Sequence, residues 1–314
     1  MRSSAVAFTV EDMRNDTYDV AIIGGGPAGL SAALVLGRAL RRVVVIDDGT
    51  PRNAAAEHMQ GFLSRDGTPP GELLSAGRAE VRRYGVEILD DRVIEARMGF
   101  HLRLASGGTV AARRVLLSTG AVDQLPDVAG ARERWGRDFL HCPYCHGWEV
   151  RDRAIGVLGS VEHAHLLRQW SDDVVLFTHT SSVTGEETAT LAARGVGMVD
   201  GRVEGLVVTD DELTAIQLDD GRAIPRDVLF MRPSLRARPD GVAAGLGCEF
   251  RDGLLQTDAD GRTNVPGVWA AGNASNPRAQ VITAAGEGSA VAIAINNELV
   301  QEDVSTTTAT ATVA

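Results

Sequence analysis

The chain has 314 residues, enough for two domains of ordinary size, each with its own core. Apolar residues make up 44% and charged residues 23% of the sequence, as in soluble globular proteins. The net charge of -11 and the pI near 5.1 argue against nucleic acid or an anionic membrane as a partner, because both would repel the chain.

Residues 1–16 are interpreted as a flexible leader. They are rich in charged residues and have no long apolar core, so they do not form a secretory signal. No apolar run in the sequence reaches membrane-spanning length. Three cysteines in so long a chain suit a reducing compartment, and we expect a cytoplasmic protein.

The strongest local pattern follows the leader. A β-rich apolar run at 18–23 ends in a glycine-rich stretch at 24–29, here called the first glycine turn; a helix at 30–40, a strand at 43–46 and then Asp47 follow. Glycines at this spacing allow a tight turn, a close approach of backbone to pyrophosphate and close packing of helix on strand. Asp47 is placed to accept hydrogen bonds from an adenosine ribose.

This order of elements predicts a dinucleotide cofactor, FAD or NAD, rather than an ordinary glycine-rich turn. An acid at position 47 disfavours a cofactor with a 2′-phosphate. The predicted contacts in this half are Gly24, Gly26, Pro27, Ala28, Gly29, Asp47 and, in the following loop, Arg52.

The rest of the first half predicts a helix and four strands. The helix follows Pro69-Pro70-Gly71 and runs over 73–83, and Gly107-Gly108 marks a hairpin turn. Residues 118–121 end the last strand and should be the first crossing to a second domain. The strands are predicted at 86–89, 93–96, 100–104 and 110–117.

Residues 141–148 carry the redox chemistry and read His-Cys-Pro-Tyr-Cys-His-Gly-Trp. Cys142 and Cys145 can close a small disulfide ring, and a thiolate beside a cation or a helix N-terminus reacts near neutral pH. We interpret the pair as a redox dithiol. The alternatives are a zinc site, which four ligands from six consecutive residues would fit poorly, and a structural disulfide, which restrains little chain entropy in so small a ring. No metal is expected.

Two histidines flank the cysteine pair. With an unperturbed pKa of about 6.5, His146 can take a thiol proton at neutral pH, and His141 is the second candidate. The alternative for each is a histidine that only packs or bonds to backbone. Tyr144 and Trp148 are expected to be pocket walls. A second histidine pair, His163 and His165, is expected to be solvated or to cap a helix.

A second turn follows the strand predicted at 155–158. Residues 159–164 read Gly-Ser-Val-Glu-His-Ala and are here called the second turn. Where a backbone must approach a pyrophosphate, Val161 brings a branched side chain and Glu162 a negative charge. We expect no working nucleotide site in this half.

Near the C-terminus, residues 263–273 read Thr-Asn-Val-Pro-Gly-Val-Trp-Ala-Ala-Gly-Asn, and another helix starts near 279–281. Together with the first glycine turn, the crossing at 118–121 and the Cys-x-x-Cys, these residues resemble the low-molecular-weight thioredoxin reductase family of flavoproteins over nearly the whole chain. The resemblance implies FAD as cofactor. Asn273 replaces the usual Asp, and an Asn can still hydrogen-bond a hydroxyl. The implied FAD contacts are Gly272, Asn273, Gln280 and Val281.

The resemblance also implies an α/β fold of two doubly wound, Rossmann-like dinucleotide-binding domains, the second inserted in the first. We expect a discontinuous FAD-binding domain at 17–121 and 237–304. The inserted NAD(P)-binding-like domain at 122–236 should carry the Cys-x-x-Cys and a degenerate nucleotide site. A disordered tail is predicted at 305–314. A homodimer is expected from the family.

The second domain departs from the reductases. They carry arginines for the NADPH 2′-phosphate after the strand predicted at 174–177, where this chain has no arginine between Arg168 and Arg194. With a histidine directly after Cys145, the chain therefore resembles the dithiol oxidases of the gliotoxin and holomycin type. The resemblance implies a small-molecule dithiol as substrate and oxygen as electron acceptor, giving hydrogen peroxide.

Two other functions remain open at this stage. One is an NAD(P)H-dependent disulfide reductase whose nucleotide site has diverged beyond the usual motif. The other is a flavin-binding regulatory or structural protein without turnover, which is disfavoured because a redox pair need not persist in it. The identity of the dithiol is not encoded in any motif, since pocket shape depends on loops such as the one at 58–70.

Overall fold

The computed structural model describes residues 17–238 and 241–313, and the leader predicted at 1–16 lies outside these ranges. The chain divides into two compact units. Unit 1 comprises the described residues up to Arg52, Gly71–Val122 and the described residues from Leu235 onward; unit 2 comprises Asn53–Pro70 and Asp123–Ser234. Each unit has a sheet with parallel strands and helical connections, which confirms the predicted fold class.

Strands and helices are numbered in chain order over the described residues. The strands are β1 Thr17–Ile23, β2 Val43–Asp47, β3 Glu87–Asp90, β4 Val93–Arg97, β5 His101–Leu104, β6 Thr109–Leu117, β7 Ala121–Gln124, β8 Phe139–Leu140, β9 Ile155–Leu158, β10 Val174–Phe177, β11 Gly197–Val199, β12 Val203–Thr209, β13 Glu212–Leu218, β14 Ala223–Pro225, β15 Val228–Met231, β16 Ser234–Ala237, β17 Phe250–Arg251, β18 Leu254–Leu255 and β19 Val268–Ala270. The α-helices are α1 Pro27–Arg38, α2 Pro70–Arg82, α3 Ala131–Arg134, α4 Pro143–His146, α5 Val161–Leu167, α6 Gly185–Ala193, α7 Val242–Gly245 and α8 Val281–Val313. Short 3₁₀ turns lie at Arg52–Ala55 and Gly272–Ala274.

Unit 1 is built on a seven-stranded sheet. Its order is β3-β2-β1-β6-β5-β4, and β19 also pairs with β6. The strands β3, β2, β1, β6 and β19 are parallel, and β5 and β4 extend the sheet antiparallel. Residues 20–23 and 43–46 are apolar and buried on both faces, as expected for central strands of a parallel sheet. The carboxyl end of β1 thereby leads directly into the first glycine turn.

Helix α8 packs on helix α1 through small residues. A Cβ at Gly288 would lie 2.0 Å from the Ala28 carbonyl oxygen, so only glycine permits this approach. A Cβ at Gly272 would lie 3.1 Å from the Ala28 side chain. The start of α8 and the turn before it are therefore held close to the N-terminal end of α1.

Helix α8 continues through Val313, so the prediction of a disordered tail is wrong for residues 305–313; Ala314 lies outside the described residues. This segment has no apolar periodicity, and the sequence therefore gave no sign of a helix. Its polar side chains bond within the helix instead, which is the usual way for Ser and Thr to be accommodated there. Hydroxyls donate at 2.8–2.9 Å to the carbonyl oxygens four residues earlier, from Ser305, Thr306, Thr307 and Thr308.

Unit 2 contains a five-stranded parallel sheet in the order β11-β10-β9-β15-β8. All residues of β9, β10 and β15 are buried, and the first two confirm the strands predicted at 155–158 and 174–177. A separate antiparallel sheet consists of β12, β13 and β14. The second turn follows β9, as the first glycine turn follows β1.

Residues 53–70 belong to unit 2, although the sequence analysis placed them in the FAD-binding domain. The loop is closed by a hydrogen bond from the Met59 amide to the Thr68 carbonyl at 3.0 Å. It packs closely on Gly136, where a Cβ would lie 2.9 Å from the Ala55 Cβ. Such contacts with residues distant in sequence leave no periodic pattern. The loop was therefore assigned to the FAD-binding domain only because of its position along the chain.

Candidate functional site

The first glycine turn is closed by tight backbone packing. Gly24 has a φ of +107°, and a Cβ there would lie 2.3 Å from the Ser118 carbonyl oxygen. A Cβ at Gly29 would lie 2.0 Å from the Gly24 carbonyl oxygen. The Ser118 hydroxyl donates to that same Gly24 oxygen at 2.8 Å. The fold itself therefore requires both glycines, and Ser118, which the sequence suggested only as a crossing residue, completes the turn.

Gly26 has a different role, because a Cβ there would meet no atom of residues 17–238 or 241–313 within 4 Å. It is the N-cap of α1, which starts at Pro27 and has 12 residues. Glycine offers no side chain to the first N–H groups of the helix, and such groups attract anions. The open space before this helix therefore suits a pyrophosphate such as that of FAD.

Asp47 joins the turn to helix α2. Its carboxylate accepts from the Gly25 amide at 3.0 Å and from Arg78 Nη1 at 3.0 Å, and Arg78 also pairs with Asp90. The sequence analysis missed Arg78, because no local pattern connects a residue in α2 to the end of β2. Asp47 keeps 17% of its side chain exposed, which leaves an edge for a ribose hydroxyl.

Asn273 closes the turn before α8. Its amide nitrogen donates at 3.0 Å to two carbonyl oxygens, those of Asn276 and Ala279, and its oxygen accepts from Arg52 at 3.3 Å. A carboxylate could not make the two donor bonds, so Asn at this position has a structural reason. The structure thus brings together Arg52 and Asn273, which the sequence analysis assigned separately to the cofactor.

The same turn is fixed by Glu287, another residue the sequence analysis missed. Its carboxylate accepts from the Gly272 amide at 2.9 Å and from the Asn276 side chain at 2.5 Å. Helix α8 then begins at Val281, and the Ala284 amide donates to the Gln280 carbonyl at 2.8 Å. The roles predicted for Gly272, Gln280 and Val281 in binding FAD remain predictions.

In unit 2, Cys142 and Cys145 form a disulfide with a Cα–Cα distance of 5.2 Å. Cys142 is the N-cap of α4, and its carbonyl oxygen accepts from the amides of Cys145 and His146, both at 3.1 Å. Both cysteines are partly exposed. The disulfide therefore lies at the start of a helical turn, within reach of a small thiol.

His146 ends this helical turn and is largely buried. Burial lowers the pKa of its imidazole, while the negative charge of Glu149 acts in the opposite direction. Its Nδ1 atom is buried and has no hydrogen-bond partner in the part of the chain that the structure describes. A neutral imidazole one residue after Cys145 is suited to accept a thiol proton.

His141 precedes the disulfide and stacks on Trp135, with ring centroids 5.6 Å apart and planes inclined by 22°. This contact is consistent with a His141 that only packs and also with a catalytic His141, so both interpretations remain open. On the other side, Tyr144 and Trp148 are 64% and 66% exposed. Their predicted role as pocket walls remains a prediction.

The second turn differs from the first because a side chain caps its helix. Ser160 is the N-cap of α5, and its hydroxyl accepts from the His163 amide at 3.2 Å. Glu162 lies in the first turn of this helix and pairs with Arg232. The Ser181 hydroxyl donates to the Gly159 carbonyl at 2.9 Å, which ties this turn to the segment after β10. A side chain therefore holds an N–H group that a phosphate would otherwise bind.

His163 is 3% exposed, so the prediction that it is solvated or capping is wrong. It packs edge-on against Phe230 of β15, with ring centroids 6.0 Å apart. Burial, with a smaller contribution from Arg232, lowers its pKa to about 4. His165, by contrast, is partly exposed, and its Nε2 lies 3.3 Å from the Thr190 hydroxyl.

His179 lies in the segment after β10, where a thioredoxin reductase was expected to have arginines, and its side chain bonds to backbone. Its Nδ1 accepts from the Val203 amide at 3.1 Å. Within residues 17–238 and 241–313, no group of three or more His, Cys, Asp or Glu side chains is arranged to hold a metal ion. In the same part of the chain, no helix is both long and apolar enough to cross a membrane.

Comparison with known proteins agrees with this geometry. The family model described as pyridine nucleotide-disulphide oxidoreductase matches residues 18–288. Thioredoxin reductase tcpT of Claviceps purpurea is 33% identical over 82% of this chain and 87% of its own length. Thioredoxin reductase sirT of Leptosphaeria maculans is 29% identical over 91% of this chain and 96% of its own. The predicted resemblance to thioredoxin reductases is confirmed.

Solved structures extend the match. The crystal structure of HlmI superposes with a TM-score of 0.90 at 51% identity, covering 95% of this chain and 98% of that one. An oxidoreductase from Agrobacterium tumefaciens superposes with a TM-score of 0.86 at 35% identity, covering 90% of this chain and 99% of that one. Both confirm the fold over nearly the whole chain.

Proposed function

Because the chain belongs to the pyridine nucleotide-disulphide oxidoreductase family and is an oxidoreductase, we propose that it oxidises small-molecule dithiols to disulfides through Cys142 and Cys145. FAD is the proposed cofactor and oxygen the proposed electron acceptor, with hydrogen peroxide as product. The proposed substrates are natural-product dithiols of the gliotoxin and holomycin type.

The structure of the second turn is the observation that supports electron flow from a dithiol to the flavin. The Ser160 hydroxyl accepts from the His163 amide, and Glu162, which is paired with Arg232, puts a carboxylate in the first turn of α5, where a nicotinamide cofactor would place its pyrophosphate. Electrons are then more readily supplied by a dithiol than by NADPH. The first glycine turn has neither obstacle, which supports FAD binding in unit 1.

The chemistry is a balanced thiol–disulfide exchange. A substrate thiolate attacks Cys142, breaking the Cys142–Cys145 bond and forming a mixed disulfide. The second substrate thiol then closes onto the first, which releases the oxidised product and leaves two cysteine thiols. His146 accepts the proton of the attacking thiol, because its buried imidazole is neutral at pH 7.

The residues of unit 1 that fit the cofactor are Gly24, Gly26 and Gly29 for the pyrophosphate and Asp47 for the ribose. Arg52 and Asn273 are the proposed contacts at the other end, with Gln280 and Val281 at the start of α8. FAD held by these residues would supply the two-electron chemistry that reoxidises the cysteine pair, with oxygen as the proposed final acceptor.

The test uses the purified flavoprotein under argon. Dithiothreitol should bleach the flavin absorbance, and admitting oxygen should restore it with one hydrogen peroxide formed per disulfide, measured with a peroxidase-coupled dye. Cys142→Ser and Cys145→Ser should abolish the bleaching. The matched control is Cys248→Ser, because Cys248 is a buried free thiol in unit 1. An unchanged response in the two Ser variants of the pair would contradict the proposal.

The second candidate is an NAD(P)H-dependent disulfide reductase. It is favoured by one observation, that relatives such as tcpT and sirT are named thioredoxin reductases. Mixing the same anaerobic protein with NADPH separates the two functions. We expect no prompt bleaching; bleaching as fast as that by dithiothreitol would establish the reductase instead.

We further propose that the protein is a cytoplasmic homodimer. The three cysteines in 314 residues are consistent with a reducing compartment. Exposed apolar side chains on α8, those of Ile293, Val300 and Val304, support contact with a second copy. Sedimentation equilibrium of the wild type and of Ile293→Asp tests the assembly; a wild-type monomer would contradict it.

A further inference from the structure

Two exposed aromatic side chains lie close in sequence to the redox disulfide. Tyr144 and Trp148 are 64% and 66% exposed, although large aromatic side chains are normally well buried. The helical turn of α4 continues past its end, because the Gly147 amide donates to Pro143 at 2.7 Å and the Val150 amide to His146 at 3.3 Å. Tyr144 and Trp148, four residues apart on this turn, therefore share one side of it.

The two rings are held in place despite their exposure. The Arg151 guanidinium lies 4.1 Å from the centre of the Trp148 ring and donates to the Trp148 carbonyl at 2.6 Å. Tyr144 packs edge-on against Trp170, with ring centroids 5.6 Å apart. Trp170 lies against Gly147, where a Cβ would come within 2.9 Å of the indole. The rings are thus ordered before any ligand arrives, which reduces the entropy lost on binding.

We infer that Tyr144 and Trp148 form a stacking platform that selects dithiols carrying a planar, conjugated ring. This inference rests on the proposed dithiol oxidase function and names the substrate class for it. Trp148 follows Cys145 by three residues, a spacing that puts the two residues on the same side of the helical turn. A flat ring on the indole would hold its attached thiols beside the disulfide.

Charge complementarity also favours such a ligand. Arg151 covers one face of the Trp148 ring and places a positive charge beside the platform, which suits a neutral ring with carbonyl oxygens or a thiolate. A cationic ring would be repelled. The ligand class is therefore a neutral or anionic planar dithiol, and an aliphatic dithiol should react without using the platform.

The experiment compares two dithiols that close to rings of the same size, 1,2-benzenedimethanethiol and dithiothreitol. In the holoenzyme, Trp148→Ala should lower kcat/KM for the aromatic dithiol about tenfold and leave that for dithiothreitol within about twofold. Trp148→Phe should recover most of the loss. Phe250→Ala is the matched control, because Phe250 is an exposed aromatic residue of unit 1.

Each outcome decides the matter. An equal loss with both dithiols would show that the rings serve the protein's own structure or electron transfer, and no loss with either would show that they do not stack on substrate; both overturn the inference. If the wild type oxidises neither dithiol, the proposed function fails by itself. Calorimetric binding of the S-methylated aromatic dithiol then tests the platform: about tenfold weaker binding to Trp148→Ala supports it, and equal binding overturns it.

Discussion

The two units each place a glycine-containing turn between a buried parallel strand and a helix, but the turns are equipped for different tasks. After β1, the N-cap of α1 is Gly26, which has open space before it. After β9, the N-cap of α5 is Ser160, whose hydroxyl already holds the His163 amide. The first N–H groups of a helix can bind either a capping side chain or a ligand. A helix whose N–H groups are left for a ligand therefore lacks the stabilisation of a side-chain cap, and a capped helix has fewer N–H groups for a ligand.

The helices behind the turns follow the same division. Helix α1 has 12 residues and no acidic residue in its first turn, whereas α5 has 7 residues and carries Glu162 there. An acid in the first turn stabilises the helix dipole but repels phosphate. Unit 2 therefore has the strand–turn–helix order of a nucleotide-binding fold, while its turn stabilises its own helix, α5, instead of leaving the first N–H groups for a phosphate.

The largest effect should come from Gly29→Ala. The added methyl group would lie 2.0 Å from the Gly24 carbonyl oxygen, and neither backbone can move without opening the turn. We expect a loss of at least about 3 kcal/mol in the free energy of unfolding and loss of bound FAD. Urea denaturation and flavin content measure both. Gly71→Ala, where a Cβ has nothing of the described chain within 4 Å, should change neither.

The next effect concerns pH. The His163 pKa is lowered from 6.5 to about 4 in the folded state, so the unfolded chain binds the proton first as pH falls. The contribution of His163 to the free energy of unfolding is fully present above about pH 6.5. It is lost as the pH falls to about 4, by roughly 3 kcal/mol in all. Urea denaturation of the whole protein at a series of pH values across this range should show the decrease in the free energy of unfolding. In His163→Phe it should be largely absent; an unchanged pH profile in this variant would disprove the assignment to His163.

A smaller effect should follow from giving the first turn the cap of the second. Gly26→Ser places a hydroxyl where it can accept from the N–H groups of α1, in a backbone conformation that serine adopts readily, with φ -75° and ψ -174°. The affinity for FAD should fall about tenfold while the melting temperature of the apoprotein is kept or raised. Fluorescence titration with FAD measures the first quantity. Unchanged affinity would mean that Gly26 does not face the cofactor.

The smallest effect is expected in the opposite exchange. Ser160→Ala removes the hydroxyl that accepts from His163 and should cost about 1 kcal/mol, whereas Ser160→Gly should cost only a few tenths. Urea denaturation resolves the difference. Neither variant should let NADPH bleach the flavin, because Glu162 remains; prompt bleaching in Ser160→Gly would show that the cap alone excludes the nucleotide.

Local patterns predicted the framework of the fold well. The strands predicted at 18–23, 43–46, 155–158 and 174–177, the first glycine turn and the Cys-x-x-Cys depend on residues close together in the sequence, and the structure places them where the patterns indicated. Such features need no knowledge of which distant residues will pack on them.

Most of the misses depend on distant contacts. Arg78 reaches Asp47 from 31 positions away, and Gly288 matters only because Ala28 lies against it. His163 is buried because β15 packs on α5, which no spacing within the second turn reveals. The helical tail from residue 305 was missed because intrahelical hydroxyl bonds leave no apolar stripe.

The helical turn that carries the cysteine pair affects how often the protein can repeat its reaction. The backbone bonds from Cys145 and His146 to Cys142 involve no sulfur atom, so they can persist whether the two sulfurs are joined or apart. Opening and closing the ring then requires little more than side-chain rotation. The backbone around the two sulfurs therefore does not have to be rebuilt each time the disulfide opens and closes.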